Sequence, residues 1–64
     1  MKTLKGVIKD WVVNNNRVIG IVVYTTDDPR EGGSICTSEI ICMESIPGTA
    51  AVKVETKNSI YILI

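Results

Sequence analysis

Twenty-four of the 64 side chains are Ile, Val or Thr, against only two Leu and two Ala. Branching at Cβ stiffens χ1 and suits the pleated surface of a sheet better than the crowded turn of a helix. The apolar runs are short, and Gly, Pro or Asn punctuates each of them, so the spacing a helix needs over ten or so positions never develops. The expected fold is all-β.

The turn formers divide the sequence into five stretches. Asn14, Asn15 and Asn16 separate residues 3–13 from residues 17–25, and Asn tolerates positive φ, so these two stretches form an antiparallel hairpin. Residues 25–34 hold the densest run of turn formers and make the one long loop. A third strand over 35–46 ends at Pro47-Gly48, a favoured centre for a type II turn. A fourth covers 49–56, and after Lys57-Asn58 a fifth covers 59–64. Five short antiparallel strands joined by tight turns predict a single domain, residues 1–64, folded as a small barrel or a strongly bent sheet.

The fourth strand alternates, with Ala50, Val52, Val54 and Thr56 on one side and Ala51, Lys53 and Glu55 on the other. That is the pattern of one face in the core and one in water. The second, third and fifth strands are apolar on both sides. A domain this short buries only about 60% of its unfolded surface, and a barrel has one interior, so the second apolar face must meet a neighbouring subunit, a ligand or another part of a longer protein. Self-association into a homo-oligomer is the leading expectation, by edge pairing or by face packing.

Charge and composition narrow the function. Seven basic and seven acidic side chains give a formal net charge of zero, which supplies no basic surface for a long nucleic acid. No basic-then-apolar leader and no run of about 18 apolar residues occurs, so a mature cytoplasmic protein without a membrane span is expected. The two cysteines, Cys36 and Cys42, have neither CxxC spacing nor a histidine partner. They read as small core residues, with no metal site and no cofactor. With no His anywhere, a base must come from a carboxylate or a lysine. Asp27-Asp28 reads as a pair of solvated loop residues, and enzyme activity is not expected.

The segment Asp28-Pro29-Arg30-Glu31-Gly32-Gly33, followed by Thr37 and Ser38, is more informative. Proline stiffens the loop that carries Arg30, whose planar fork can meet a phosphate bidentately, and nearby glycines let backbone N–H groups approach the same anion. Thr37 and Ser38 add two hydroxyls. The alternative is an ordinary surface turn in which Arg30 pairs with Asp28 or Glu31. The aromatics Trp11, Tyr24 and Tyr61 read as barrel or interface residues.

The order Arg17-Val18-Ile19-Gly20, Pro29-Arg30, a Gly turn, Thr37-Ser38-Glu39-Ile40, Val54-Glu55-Thr56-Lys57-Asn58-Ser59 and Tyr61-Ile62-Leu63 resembles a small phage and prophage β-protein family. Its best understood relatives are the first-described anti-Thoeris sponge proteins. The resemblance covers about residues 17–63. It implies an oligomeric phage anti-defence protein that sequesters an immune cyclic nucleotide, a cyclic ADP-ribose isomer or a cyclic oligonucleotide, without cleaving it, in the host cytoplasm. It also implies that Arg30 contacts phosphate, with Thr37 and Ser38 beside it and Asn58 and Tyr61 near the base or ribose. Glu31 stands where the family often has Phe, and this chain contains no Phe, so the family's base stacking is not carried over. The rival expectation is a protein-binding inhibitor or adaptor acting through a sheet edge or the apolar face.

Overall fold

The computed structural model describes residues 2–25 and 32–64. These form six strands and no helix: β1 (Leu4–Asn14), β2 (Arg17–Thr25), β3 (Ser34–Cys36), β4 (Ile40–Ser45), β5 (Val52–Thr56) and β6 (Ile60–Leu63). All belong to one sheet in the order β3-β2-β1-β6-β5-β4.

The asparagine turn forms as the sequence predicts. Asn14 pairs with Arg17 across the hairpin, and Asn15 and Asn16 take φ of 52° and 60°, the two consecutive positive values that a tight hairpin turn with the right twist requires. At the second turn Gly48 has φ of 78° and Thr49 N–H donates to the Ile46 carbonyl at 3.2 Å.

Two expectations are corrected, and one choice between two expected shapes is decided. The stretch 35–46 is not one strand but two, because residues 37–39 form a corner. Thr37 N–H donates to the Val18 carbonyl at 2.9 Å, while Ile40 N–H donates to the Asn16 carbonyl at 2.8 Å and Lys57 N–H to the Glu39 carbonyl at 3.0 Å. The backbone therefore leaves the edge of β2 and arrives at the edge of β5. The sheet is also mixed rather than antiparallel throughout, since β6 enters between β1 and β5 and runs parallel to β1. Finally, the sheet is strongly bent but not closed into a barrel: its two edge strands, β3 and β4, do not pair with each other.

The bend follows from chain length. Six strands laid flat would hold their edges about 24 Å apart, whereas the four peptide steps from Cys36 to Ile40 reach at most about 15 Å. The sheet must curl, and extents of 28 × 25 × 24 Å agree.

The concave side holds a small core of Ile8, Val18, Val54, Tyr61 and Leu63, with Trp11, Ile35, Ile40 and Val52 packed against it. In β5 the inward residues Val54 and Thr56 are buried and Lys53 points to water, as the alternation predicts. In β2 the inward set is Val18, Gly20 and Val22, all buried. Gly20 is tightly enclosed: a Cβ there would lie 2.5 Å from Ile8 Cγ2 and 2.8 Å from the Lys9 carbonyl oxygen. The enclosure comes from an irregularity in β1 between Lys9 and Val12, where Asp10 takes φ of 50°.

The convex side is apolar over much of its area. Residues directly opposite in a ladder share a face, so the pairings Val7 with Tyr24 and Val7 with Ile62 lay one outer row across β2, β1 and β6. Tyr24 is half-exposed, as are Leu4 and Val23. The cysteines are a further correction: both are exposed and free. Cys42 stands opposite Glu55 in β4 and Cys36 opposite Ile19 in β3, outward positions that a composition argument does not see.

Candidate functional site

Residues brought together by the corner and the β5–β6 turn enclose a cleft of about 200 Å³. Four of the residues expected to bind ligand line it: Thr37, Ser38, Asn58 and Tyr61. They come from positions up to 24 apart (37 to 61) and meet because the curled sheet carries the corner against the turn. Arg30, the fifth, lies outside the described residues, as do Asp28 and Glu31.

The four play different parts. Asn58 Nδ2 donates to Ser38 Oγ at 2.6 Å, tying the turn to the corner at the exposed lip. Thr37 is buried, and its hydroxyl is occupied by the fold: Oγ1 accepts from Val18 N–H at 3.1 Å and donates to the Ser38 carbonyl at 2.9 Å. Arg17 Nη1 donates to the Thr37 carbonyl at 3.2 Å, so that guanidinium braces the same corner. Thr37 thus shapes the wall, while Ser38 and Asn58 offer polar atoms to the opening. Tyr61 belongs to the core and also lines the cleft. Of the other aromatics, Trp11 packs on the core and Tyr24 sits half-exposed on the convex side.

Six further residues line it, and two of these, Lys5 and Cys36, bring an ammonium and a thiol that the sequence does not place there. Lys5 is half-buried on the wall, at the extra residue between Leu4 and Gly6 in the β1–β6 ladder. Among the described residues it is in no ion pair, whereas its neighbour Lys2 is bound to Glu55 at 2.8 Å. Cys36 also lines the cleft. Only the parallel pairing of β1 with β6 carries Lys5 to this place, and no local sequence signal announces that pairing.

Chemically, the described wall offers one ammonium, several hydroxyls and an amide, and no carboxylate. Among the described residues no acid stands beside this cation, an arrangement that suits a singly charged anion. No cluster of three metal-ligating side chains occurs among the described residues, nor any helix long and apolar enough to cross a membrane.

No family model matches this chain, and neither a curated protein nor a solved structure matches it.

Proposed function

We propose that the protein binds a small cyclic nucleotide and holds it without turnover, acting as a phage anti-defence sponge in the host cytoplasm and working as a homo-oligomer. The observation that carries this reading is the convergence of Thr37, Ser38, Asn58 and Tyr61 on one cleft with Lys5 in its wall. Phosphodiester oxygens match the ammonium and the lip hydroxyl, and a ribose edge matches the amide.

Size argues for the oligomer. Pockets that enclose a small-molecule ligand span about 300–1,000 Å³, and this cleft is smaller, so a cyclic dinucleotide would protrude from it. A sponge needs a nanomolar Kd, about −12 kcal/mol, which requires a second surface over the protruding part. A second copy supplies one.

The test is a thermal-shift screen of the full chain against cyclic ADP-ribose isomers, cyclic dinucleotides and cyclic trinucleotides. A ligand at 100 times its Kd adds about 2.7 kcal/mol, which moves Tm by about 11–22 °C in a domain this small. Chromatography of the recovered ligand should return it intact. No shift with any of these compounds overturns the ligand, and a hydrolysed product overturns the sponge.

A further inference from the structure

We propose that two copies of this chain join edge to edge through β4, in antiparallel register with the two-fold axis at Met43. The inference deepens the preceding reading: it rests on the self-association proposed there and not on the ligand.

β4 is the longer of the two edge strands, six residues against three for β3, and five of its six residues are exposed. Its apolar side chains include Ile41, 57% exposed, and Met43, 38% exposed. An edge of this length with apolar side chains is what monomeric proteins avoid or blunt. One end is already capped: Asn16 takes the Ile40 N–H on its carbonyl and donates its Nδ2 to the Ile40 carbonyl at 3.1 Å. From Ile41 onward no strand lies beside β4 among the described residues.

The open groups can be identified. Ile46 N–H donates to the Ala51 carbonyl, and the ladder continues through Glu44 with Lys53 and Cys42 with Glu55. Hydrogen-bonded pairs alternate along an antiparallel ladder, so Cys42 and Glu44 bond inward to β5 and Met43 and Ser45 point their N–H and C=O groups outward. A trans peptide holds its N–H and C=O on opposite sides. The Ile41 carbonyl therefore also points outward, behind the inward Cys42 N–H.

Two registers let this edge satisfy itself with four backbone bonds. With the axis at Met43, the Met43 residues exchange two bonds and each Ser45 N–H meets the Ile41 carbonyl of the other copy. With the axis at Glu44, Met43 and Ser45 exchange bonds, but the two Glu44 carboxylates stand directly opposite each other. Like charges so placed are destabilising. Charge selects the Met43 register, in which Glu44 faces the second copy's Cys42 and keeps Lys53 of its own chain on its other side. The half-exposed Met43 side chains then cover each other at the rim of the core.

Sedimentation of the full chain tests the seam. The native protein should sediment at twice 7.0 kDa. Met43→Pro should sediment at 7.0 kDa with an unchanged circular dichroism spectrum, because the lost N–H faces the free edge and not β5. In a Cys36→Ser/Cys42→Ser background, Met43→Cys should oxidise to a covalent dimer, since the paired positions lie about 5.5 Å apart. With Cys36→Ser alone, Cys42 should not cross-link, because its diagonal separation of about 7–8 Å exceeds disulfide reach. If Met43→Pro does not fold, the cross-linking result decides. A native monomer at every concentration overturns the seam, and so does a Met43→Cys protein that never cross-links. A dimer that survives Met43→Pro but dissolves in Ile62→Lys assigns the contact to the convex face and overturns it equally. If Met43→Pro breaks the dimer while the native protein shifts with no cyclic nucleotide, the seam stands and only the ligand is removed.

Discussion

Asn58 and Ser38, twenty residues apart, are joined side chain to side chain at 2.6 Å across the lip of the cleft. The bond fixes the distance between the β5–β6 turn and the corner that links the two edges of the sheet. It also makes residue 58 a place where charge can be changed with little change of shape. In Asn58→Asp the Ser38 hydroxyl turns round and donates to the new carboxylate, so the turn stays tethered. The Tm without ligand should stay within a few degrees of native, while the shift produced by an anionic cyclic nucleotide disappears, because the carboxylate now sits in the same cleft as Lys5. A ligand shift as large as the native one would remove Asn58 from the site.

Lys5→Gln tests the cation directly. A hydrogen bond to a charged group contributes about 1.5–3 kcal/mol, so titration calorimetry should show affinity for a cyclic nucleotide reduced by at least about tenfold. Any binding of the uncharged nucleoside should be unaffected.

Thr37→Val should act on the fold. It removes the acceptor for the buried Val18 N–H, which costs about 1–3 kcal/mol, and each of those should lower Tm by about 4–8 °C in a domain of this size. Ser38→Ala, at the lip, should cost far less. Equal losses in thermal unfolding would contradict the separation of wall from lip.

Gly20→Ala forces a methyl to within 2.5 Å of Ile8 Cγ2 and 2.8 Å of the Lys9 carbonyl oxygen. Overpacking of this kind destabilises by about 1–3 kcal/mol, to be read from urea unfolding as a lower midpoint with an unchanged slope.

The Lys2–Glu55 pair predicts a pH response. The hydrogen bond from Lys2 and then its charge hold the Glu55 carboxyl below the usual carboxylate range, with Lys53 adding a smaller pull. A depressed carboxyl stabilises the fold above its unfolded pKa, and that contribution fades as pH falls through the folded one. The pair is exposed to solvent and its effect is small. In Lys2→Ala, Tm should decline less between neutral and acid pH than in the native protein, and a parallel decline would show that the pair contributes nothing.

Much of the fold is legible in the residues because its signals are local. Asn15-Asn16 and Pro47-Gly48 turn where their φ preferences say, Arg17–Thr25 is a strand between the expected limits, and Val54 and Thr56 point inward as their alternation requires. The misreadings concern relations between distant parts. Nothing in Ile35 to Ile46 marks a corner, since Thr37 is as good a strand former as its neighbours. What bends the chain is its bond to Val18, nineteen residues away. The outward placement of Cys36 and Cys42 depends on register. Of the five expected ligand contacts, Thr37, Ser38, Asn58 and Tyr61 line one cleft and Arg30 lies outside the described residues, while Lys5 joins the cleft through a pairing between the first strand and the last.

That same pairing governs when the molecule can assemble. β6, the last of the six strands to be translated, lies in the middle of the sheet with β1 on one side and β5 on the other. Until it emerges, the β1–β3 meander and the β4–β5 hairpin are two fragments with no shared ladder, each exposing the apolar row that Tyr61 and Leu63 will cover. Folding must therefore wait until β6 has been made, and closing so long a loop makes the search slow. A nascent chain stalled before Ile60 should remain open to proteases that the released protein resists.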